Sequence, residues 1–174
     1  MNSLLAGWIE TRLGPMIAVA DTRHLLILEF SVDNTFSKDI KRLEKKYAIS
    51  ILQGENKIIK TIKAELKNYF SGKNLTFQTP IKMTGTAFQK NVWKMLQTIP
   101  AGETISYLEE AKKIKKPTAC RAVANANSAN PLAIIVPCHR VINHNGKLGG
   151  YRGGVSKKEW LIQHEKNAIN TNSG

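Results

Sequence analysis

The chain has 174 residues, 42% of them hydrophobic, and carries a formal net charge of +13. This length and composition allow a buried core in one domain or in two small ones, and they exclude an extended or disordered chain. The charge is unevenly distributed along the chain. Up to Pro80 there are 12 Lys and Arg and 8 Asp and Glu, whereas from Ile81 onward there are 14 Lys and Arg and 5 Asp and Glu. A basic surface attracts polyanions, so nucleic acid leads the expected partners, although a merely lysine-rich surface explains the charge equally well.

No stretch of the sequence is long and apolar enough to cross a bilayer, and the first residues lack the pattern of a secretion signal. We therefore expect a cytoplasmic protein with no membrane partner. The two cysteines, Cys120 and Cys138, have neither the spacing of a zinc ribbon nor the C-x-x-C pattern of a redox pair. In a reducing compartment both are expected to be free thiols.

The first half of the chain predicts a small α+β unit without evident chemistry. Apolar stretches between Trp8 and Phe30 are separated by turn signals, which is typical of short strands in an antiparallel meander. Apolar residues at helical spacing then predict two helices, over 38–47 and 56–70, with Gly72 ending the second.

The segment 71–86 is the predicted domain boundary, because it combines turn formers and a proline with no clear periodicity. We expect an N-terminal structural domain over 1–80 and a C-terminal domain over 81–168. The last residues, 169–174, are expected to form a disordered tail.

The basic half predicts three helices. The first begins at Thr86 and ends before residue 100, and the second covers 107–114 with Thr104 or Ser106 as its cap. The third begins at Thr118 and is stopped by a proline at residue 131. Two helices across a short break form a helix-turn-helix, a plausible DNA-binding element in a basic half.

The third predicted helix, TACRAVANANSAN, consists almost entirely of small residues. A helix with so little bulk can approach a groove closely, with one long arginine side chain reaching out; tight packing in a core explains the same pattern. Helical spacing separates two faces. The first carries Arg121, Ala124, Asn125 and Ser128, and the second carries Ala122, Val123 and Ala126.

The segment LAIIVPCHRVI places a cysteine directly after an apolar run. Residues 132–136 predict a buried strand that ends at Pro137, which cannot donate to a strand ladder, so Cys138 is expected where the strand opens into a loop. His139 and Arg140 follow at once, and a nearby imidazole or cation favours the thiolate. Because successive strand residues point to opposite faces, Cys138 and His139 cooperate only through a bend or a bridging water. An inert buried cysteine is the alternative.

A metal site is disfavoured, because Cys138, His139 and His144 are close in sequence but no second cysteine completes a zinc set. The segment NHNG predicts a tight turn with Gly146 at positive φ. The segment LGGYRGG lacks the spacing of a phosphate loop, and it predicts either a flexible loop whose Tyr151 stacks on a flat ligand or a mobile hairpin tip. We expect no metal and no cofactor.

Six segments occur in order between Gly85 and Glu165: GTAFQKNVW, IPAGETISY, RAVANANSANP, IVPCHRVI, GGYRGG and KEWLIQHE. Together they resemble the O6-alkylguanine-DNA alkyltransferases, also called methylated-DNA-protein-cysteine methyltransferases. The N-terminal half resembles that family more loosely, through TRLGPMIAVAD and ELKNYFSGK. The resemblance implies an α+β fold with a small ribonuclease-H-like domain, followed by a mostly helical domain with a helix-turn-helix.

By this resemblance Cys138 is the alkyl acceptor in DNA repair by direct reversal. It attacks the alkyl carbon on guanine O6 by in-line displacement and becomes a thioether, so that one protein molecule repairs one lesion. The implied partner is duplex DNA containing O6-alkylguanine, with O4-alkylthymine as an open second substrate. The nucleotide must be flipped out of the stack, and the small-residue helix then lies in the minor groove.

The resemblance also implies roles for individual residues. His139 and Glu165 activate the thiol through a water, Tyr107 donates toward guanine N3, and Asn130 ties the recognition helix to the active-site turn. Arg121 replaces the flipped nucleotide in the stack. The DNA-contacting set is Ser106, Arg121, Ala122, Ala124, Asn125 and Ser128, and the substrate pocket is Tyr107, Val136, Pro137, Gly149, Tyr151 and Arg152.

The chain departs from the family pattern at Ala124-Asn125, where many members have Gly-Gly, at Leu108 for glycine, and at Arg152 for serine. Cys120 takes a usual alanine position, and we expect it to be buried. Two alternatives stay open: a lesion-binding protein without activity, in which the acceptor cysteine is commonly replaced, and a helix-turn-helix regulator, whose recognition helix needs several long polar side chains. We expect a monomer.

Overall fold

The computed structural model describes residues 3–31 and 34–174. The chain forms two compact units, Met1–Met83 and Thr84–Gly174, and the division lies within the segment 71–86. Within the described ranges, no helix is both long enough and apolar enough to span a membrane.

The first unit is built on a four-stranded sheet with the order β3-β2-β1-β4. Strands β1, β2 and β3 are antiparallel neighbours, which confirms the predicted meander, and β4 adds to β1 in parallel. Every residue of β2 and β3 is buried, so this sheet supplies most of the core of the unit. The strands are β1 (Leu4–Ile9), β2 (Met16–Ala20), β3 (Leu25–Phe30) and β4 (Ile51–Gln53).

The two helices predicted for the first unit are confirmed, as α1 (Asn34–Tyr47) and α2 (Lys57–Phe70). Helix α1 begins four residues before the predicted start, where the sequence gives no apolar repeat. Helix α2 begins at an asparagine cap, since the side chain of Asn56 accepts a hydrogen bond from the Ile59 N–H.

The second unit is mostly helical. A two-stranded parallel pair, β5 and β6, joins the segment before α4 to the segment after a short 3-10 helix. Helices α4 and α5 pack against each other across residues 114–119, in the order predicted for a helix-turn-helix. The elements are α3 (Ala87–Leu96), β5 (Ile105–Ser106), α4 (Tyr107–Lys113), α5 (Cys120–Ser128), the 3-10 helix (Cys138–Arg140), β6 (Val141–Ile142) and α6 (Val155–Asn172).

Helices α3 and α4 both begin with a capping box. Thr86 pairs with Gln89 in the first box and Ser106 with Glu109 in the second, so Ser106 is the cap of α4. The predicted cap of α5 is wrong, because that helix begins after Ala119, with no side-chain cap. The Ala119 N–H donates to the Lys116 carbonyl, so Thr118 lies within the turn that precedes α5.

The buried strand predicted over 132–136 is wrong. Leu132, Ile134 and Val136 are buried, but the segment folds as a tight turn in which the Val136 N–H donates to the Leu132 carbonyl at 2.9 Å. Ile134 takes a φ of 71°, which a strand excludes. A short apolar run signals burial without fixing the backbone conformation, and here the side chain of Asn130 supplies the hydrogen bonds that a neighbouring strand would otherwise make.

The disordered tail predicted at 169–174 is also wrong, because α6 continues to Asn172. Ala168 is buried, and the Ile169 side chain lies over Gly102, where an added Cβ would come within 2.5 Å of it. Gly102 has a φ of 81°, so both its backbone and this close approach favour glycine. Packing against this turn extends the helix beyond its last strong sequence signal.

Trp93 links α3 to α5, since its buried Nε1–H donates to the Ala126 carbonyl at 2.8 Å. We expect Trp93→Phe to lower the free energy of unfolding by about 1–3 kcal/mol, because the Ala126 carbonyl loses its indole donor and keeps only the longer bond from the Ala129 N–H at 3.2 Å. Urea unfolding measures this, with Trp160→Phe on the half-exposed face of α6 as the control. Equal losses in the two variants would contradict the role given to this bond.

Candidate active site

Cys138 is the first residue of the 3-10 helix and is 8% exposed. The 3-10 turn bends the chain directly after Pro137, so Cys138 and His139 do not alternate as they would in a strand. One of the two arrangements considered for them, a bend after the proline, is therefore present.

Asn130 holds the turn that carries the cysteine. Its Nδ2 group donates to the Val136 carbonyl at 2.7 Å and to Cys138 Sγ at 3.3 Å, and its Oδ1 accepts from the Leu132 N–H at 2.9 Å. The amide is buried, so these bonds form in a low-dielectric surrounding where they fix geometry well. One side chain thus connects the end of α5 to the sulfur.

Glu165 on α6 collects the two residues that follow the cysteine. His139 Nε2 lies 2.8 Å from Glu165 Oε1, and Arg140 donates to both carboxylate oxygens at 2.9 Å. The Gly102 N–H adds a fourth donor at 3.1 Å, and Arg140 Nη1 donates to the Ile99 carbonyl at 2.6 Å. Burial alone would raise the pKa of Glu165, but the bonds from His139 and Arg140 hold it well below its usual range.

The carboxylate also determines the tautomer of His139. Burial lowers the pKa of this histidine despite the nearby anion, so the ring is neutral at pH 7. Since an ionised Glu165 only accepts, Nε2 carries the ring proton and Nδ1 keeps its lone pair. Nδ1 is buried and has no hydrogen-bond partner among the described residues. The site therefore contains an oriented basic nitrogen.

The expectation that His139 and Arg140 stabilise the thiolate is not met, because both side chains are committed to Glu165. Burial raises the pKa of Cys138, while the Asn130 hydrogen bond and the charge of Lys158 lower it to a smaller extent. The cysteine is therefore a thiol at neutral pH, and the cation that acts on it comes from α6.

Lys158 is fully buried, which is rare for a lysine. Its Nζ group donates to the Gly150 carbonyl at 3.1 Å and lies 3.4 Å from the Tyr107 hydroxyl oxygen. Burial lowers the pKa of Lys158 to about 8. Burial, followed by the charges of Cys138 and Glu110, raises the pKa of Tyr107 to about 12, so the phenol keeps its proton.

Lys158 is absent from the predicted site residues, although the sequence carries a signal for it. Lys158, Leu161, Ile162 and Glu165 recur at i, i+3, i+4 and i+7, and all four are buried. The lysine thus occupies the same inward face as Glu165. A charged residue on the apolar face of an amphipathic helix was the available clue.

A small cleft opens beside the cysteine. Of the predicted pocket residues, Tyr107, Tyr151 and Arg152 line it; Val136 and Pro137 are buried just before the cysteine, and Gly149 packs closely against the Tyr107 ring. The segment NHNG forms the predicted turn, with Gly146 at a φ of 82°. The lining of the cleft is Tyr107, Asn127, Ser128, Cys138, Gly150, Tyr151 and Arg152.

The outer face of α5 agrees in part with the prediction. Its exposed residues are Arg121, Ala122, Asn125 and Ser128, with Ala124 half-buried, so Ala122 lies on the exposed face and not with the apolar side chains. Ser106 is buried as the cap of α4. The expected burial of Cys120 is wrong, because its side chain is only partly covered at the first turn of the helix.

Comparison with known proteins assigns both units. Residues 4–83 match the ribonuclease-like domain of 6-O-methylguanine DNA methyltransferase, and residues 87–167 match its DNA binding domain. The methylated-DNA-protein-cysteine methyltransferase of Methanosarcina mazei is 44% identical over 92% of this chain and 96% of its own length. The chain belongs to the methylated-DNA-protein-cysteine methyltransferase family. The Shigella flexneri member is 39% identical, over 95% of this chain and 97% of its own.

Solved structures of this family have the same fold. Mycobacterium tuberculosis OGT in complex with DNA superposes with a TM-score of 0.81 at 37% identity, covering 94% of each chain. The O6-methylguanine-DNA methyltransferase of the archaeon Pyrococcus kodakaraensis gives 0.63 at 25% identity, covering 93% of this chain and 98% of its own. The expected fold class, with a ribonuclease-like unit and a helical DNA-binding unit, is confirmed.

We expect Glu165→Gln to cost about 3–5 kcal/mol of unfolding free energy, because Arg140 stays buried without its counter-ion. Urea unfolding followed by circular dichroism measures the loss. Glu159→Gln on the exposed side of α6 removes the same charge and should have little effect. If the two variants unfold at the same urea concentration, the carboxylate does not stabilise this unit as described.

Proposed function

We propose that this protein repairs alkylated DNA by direct reversal, moving the alkyl group from O6-alkylguanine in duplex DNA to Cys138. The observation that carries the proposal is the placement of the sulfur. Cys138 lines the cleft, is held by Asn130 and lies next to a histidine whose tautomer is fixed by Glu165. An oriented thiol with a neighbouring base is the arrangement that nucleophilic transfer requires.

In the transfer step, a sulfur electron pair forms a bond to the alkyl carbon while the bond from that carbon to guanine O6 breaks. His139 Nδ1, whose lone pair is free, takes the thiol proton through a water. The departing guanine gains negative charge and receives a proton from the Tyr107 hydroxyl at N3. The proton on His139 then passes through water to the Tyr107 phenolate, which restores both side chains. The sum is one thiol hydrogen exchanged for one alkyl group, with no cofactor consumed.

The reaction ends with the thioether. A thioether has no carbonyl for water to attack, and the second cysteine lies on α5 and does not line the cleft beside Cys138. Each molecule therefore accepts one alkyl group and stops. Cys138 acts as a consumed reagent as well as a nucleophile.

Access to the cleft calls for base flipping. An alkyl group on a stacked guanine lies inside the duplex, so the nucleotide has to rotate out before the sulfur can reach it. We place the exposed face of α5 in the minor groove, where Asn125 and Ser128 have little bulk and Arg121 fills the gap left by the base. Exposed lysines at the end of α4 and in the turn before α5 suit phosphate contacts: Lys112, Lys113, Lys115 and Lys116.

The proposal includes action as a monomer in the cytoplasm. All the side chains assigned to the transfer lie in the unit Thr84–Gly174, so the site needs no residue from a second copy, which supports a monomer. O6-alkylguanine is the proposed substrate because the cleft combines a sulfur nucleophile with a protonated phenol. Activity on O4-alkylthymine is tested by the mass-spectrometric assay described next, with O4-methylthymine in the duplex.

Incubation with duplex DNA containing one O6-methylguanine should add a single methyl group to the peptide that contains Cys138. We expect one methyl group for each protein molecule and none in Cys138→Ser, as measured by mass spectrometry of the digested protein. Cys120→Ser is the matched control and should retain full transfer. Binding of the lesion without any gain of mass would favour recognition without repair.

Replacing Arg121 should separate duplex repair from the chemistry itself. We expect Arg121→Ala to slow methyl transfer from duplex DNA by about tenfold. Unstacking the flipped nucleotide costs a few kcal/mol, and the variant lacks the arginine side chain that offsets part of this cost by filling the gap in the stack. Transfer from single-stranded DNA should change little, since no stack has to be refilled. Arg23→Ala, an exposed arginine in the first unit, is the control for charge. Equal slowing on both DNA forms would contradict the role given to Arg121.

A further inference from the structure

Glu110 is a buried carboxyl group to which the transfer reaction gives no task. It lies on α4 one turn after Tyr107 and is fully buried. Its Oε2 accepts from Asn127 Nδ2 at 2.7 Å, but no ion pair reaches it within the described part of the chain. A buried carboxylate without a paired cation is costly, so the charge state of this group calls for an explanation.

Two unsatisfied oxygens remain on the two side chains that this bond joins. Glu110 Oε1 and Asn127 Oδ1 are both buried and have no hydrogen-bond partner among the described residues. Two acceptors cannot satisfy each other, so an ionised Glu110 leaves both oxygens unpaired. A neutral acid has one O–H donor, and an acid and an amide can pair through two bonds because each planar group presents a donor beside an acceptor. One proton on Glu110 therefore satisfies both oxygens.

The elements packed against α4 bring no counter-ion into contact with Glu110. Helix α3 buries only apolar side chains, and β5 and β6 contain no charged residue. The titratable groups that act on Glu110 or respond to its charge are Tyr107, Cys138 and Lys158. Of these only Lys158 is a cation, and its Nζ group donates to the Gly150 carbonyl and lies beside the Tyr107 hydroxyl.

The pKa of Glu110 agrees with this bookkeeping of bonds. Burial raises the pKa to about 8, and the smaller opposing effects of the Asn127 bond and the Lys158 charge do not reverse the shift. The carboxyl group is therefore mostly uncharged at pH 7.

We propose that Glu110 is a neutral acid in the folded protein and that its O–H donates to Asn127 Oδ1, so that the two side chains form a two-bond pair which positions the wall of the cleft. Asn127 lines the cleft together with Cys138, and Glu110 lies on the helix that begins with Tyr107. The pair therefore fixes α5 against α4 beside the reactive groups. The pairing itself is independent of the function proposed above, and its consequence for methyl transfer rests on that function.

The direct test is the protonation state of Glu110 in the free protein. In protein labelled with 13C at the glutamate carboxyl carbons, the Glu110 signal is identified by its absence from Glu110→Gln and is followed by nuclear magnetic resonance from about pH 4 to about pH 10. We expect a midpoint near pH 8. Glu109 on the same helix is the control, and it should titrate at acidic pH, because its bonds to Ser106 lower its pKa. A Glu110 midpoint in the same acidic range would overturn the proposal.

The partner of the acid proton is tested on Asn127. If Oδ1 accepts from the acid, ionisation of Glu110 breaks that bond, so the Asn127 Cγ signal should shift with the same midpoint as the Glu110 carboxyl carbon. An Asn127 carbonyl that does not respond while Glu110 titrates would contradict the two-bond pair.

Glu110→Gln also tests the positioning role, because an amide presents a donor beside an acceptor and cannot ionise. The variant therefore keeps both bonds at every pH, whereas the wild type loses one as Glu110 ionises. With a pKa of about 8, most of the wild type holds the neutral acid at pH 7 and about one molecule in ten does so at pH 9. The ratio of the wild-type methyl-transfer rate to that of Glu110→Gln should therefore fall by about tenfold between pH 7 and pH 9.

This ratio isolates Glu110 from the other titrating groups. Tyr107, Cys138 and Lys158 are present in both proteins, so their own titrations affect both rates. Glu109→Gln changes an exposed carboxylate on the same helix, keeps the capping box and should give a ratio that does not vary with pH. A constant ratio for Glu110→Gln would overturn the positioning role.

The outcome for the pair is distinguishable from the outcome for repair. The resonance titration needs no DNA, so a Glu110 midpoint near pH 8 with a responding Asn127 Cγ would support the pair even if methylated DNA transferred nothing. Conversely, full methyl transfer with a Glu110 midpoint at acidic pH would retain the repair function and overturn the pair.

Discussion

The buried carboxylate of Glu165 is the interaction on which the second unit depends. It takes hydrogen bonds from the 3-10 helix through His139 and Arg140 and from the turn before β5 through Gly102. Removing the charged groups of Glu165 and Arg140 from water is costly, and the full set of bonds offsets that cost. The same contacts orient the imidazole, so the group that stabilises the unit also prepares its base. Stability and reactivity therefore cannot be tuned separately at this position.

The two cations near the cysteine have separate tasks. Arg140 lies only two residues after Cys138 but neutralises Glu165, whereas Lys158 is 20 positions away and acts on the sulfur. Sequence neighbours of a reactive residue are thus poor guides to its electrostatics. A 3-10 turn sends successive side chains in different directions, and each then meets the partner that a distant helix supplies.

Much of the fold could be predicted from the sequence, because helix periodicity, capping residues and turn formers are local signals. The helices, the meander and the cap at Ser106 follow from such signals, and the family resemblance points to Cys138, His139 and Glu165. The turn over 132–136 could not be predicted, since an apolar run looks the same in a strand and in a buried turn. Lys158 and Glu110 escaped because charged residues are normally exposed, and their burial depends on partners far away in the chain.

The position of α6 in the chain has a consequence for synthesis. Chains emerge from the ribosome with their N-terminal residues first, so Cys138 appears before the helix that carries Glu165 and Lys158. Until that helix docks, the imidazole has no carboxylate to fix its proton, and the thiol has no buried ammonium beside it. The nascent protein therefore carries an ordinary cysteine, and its reactivity toward DNA begins only when the second unit has folded.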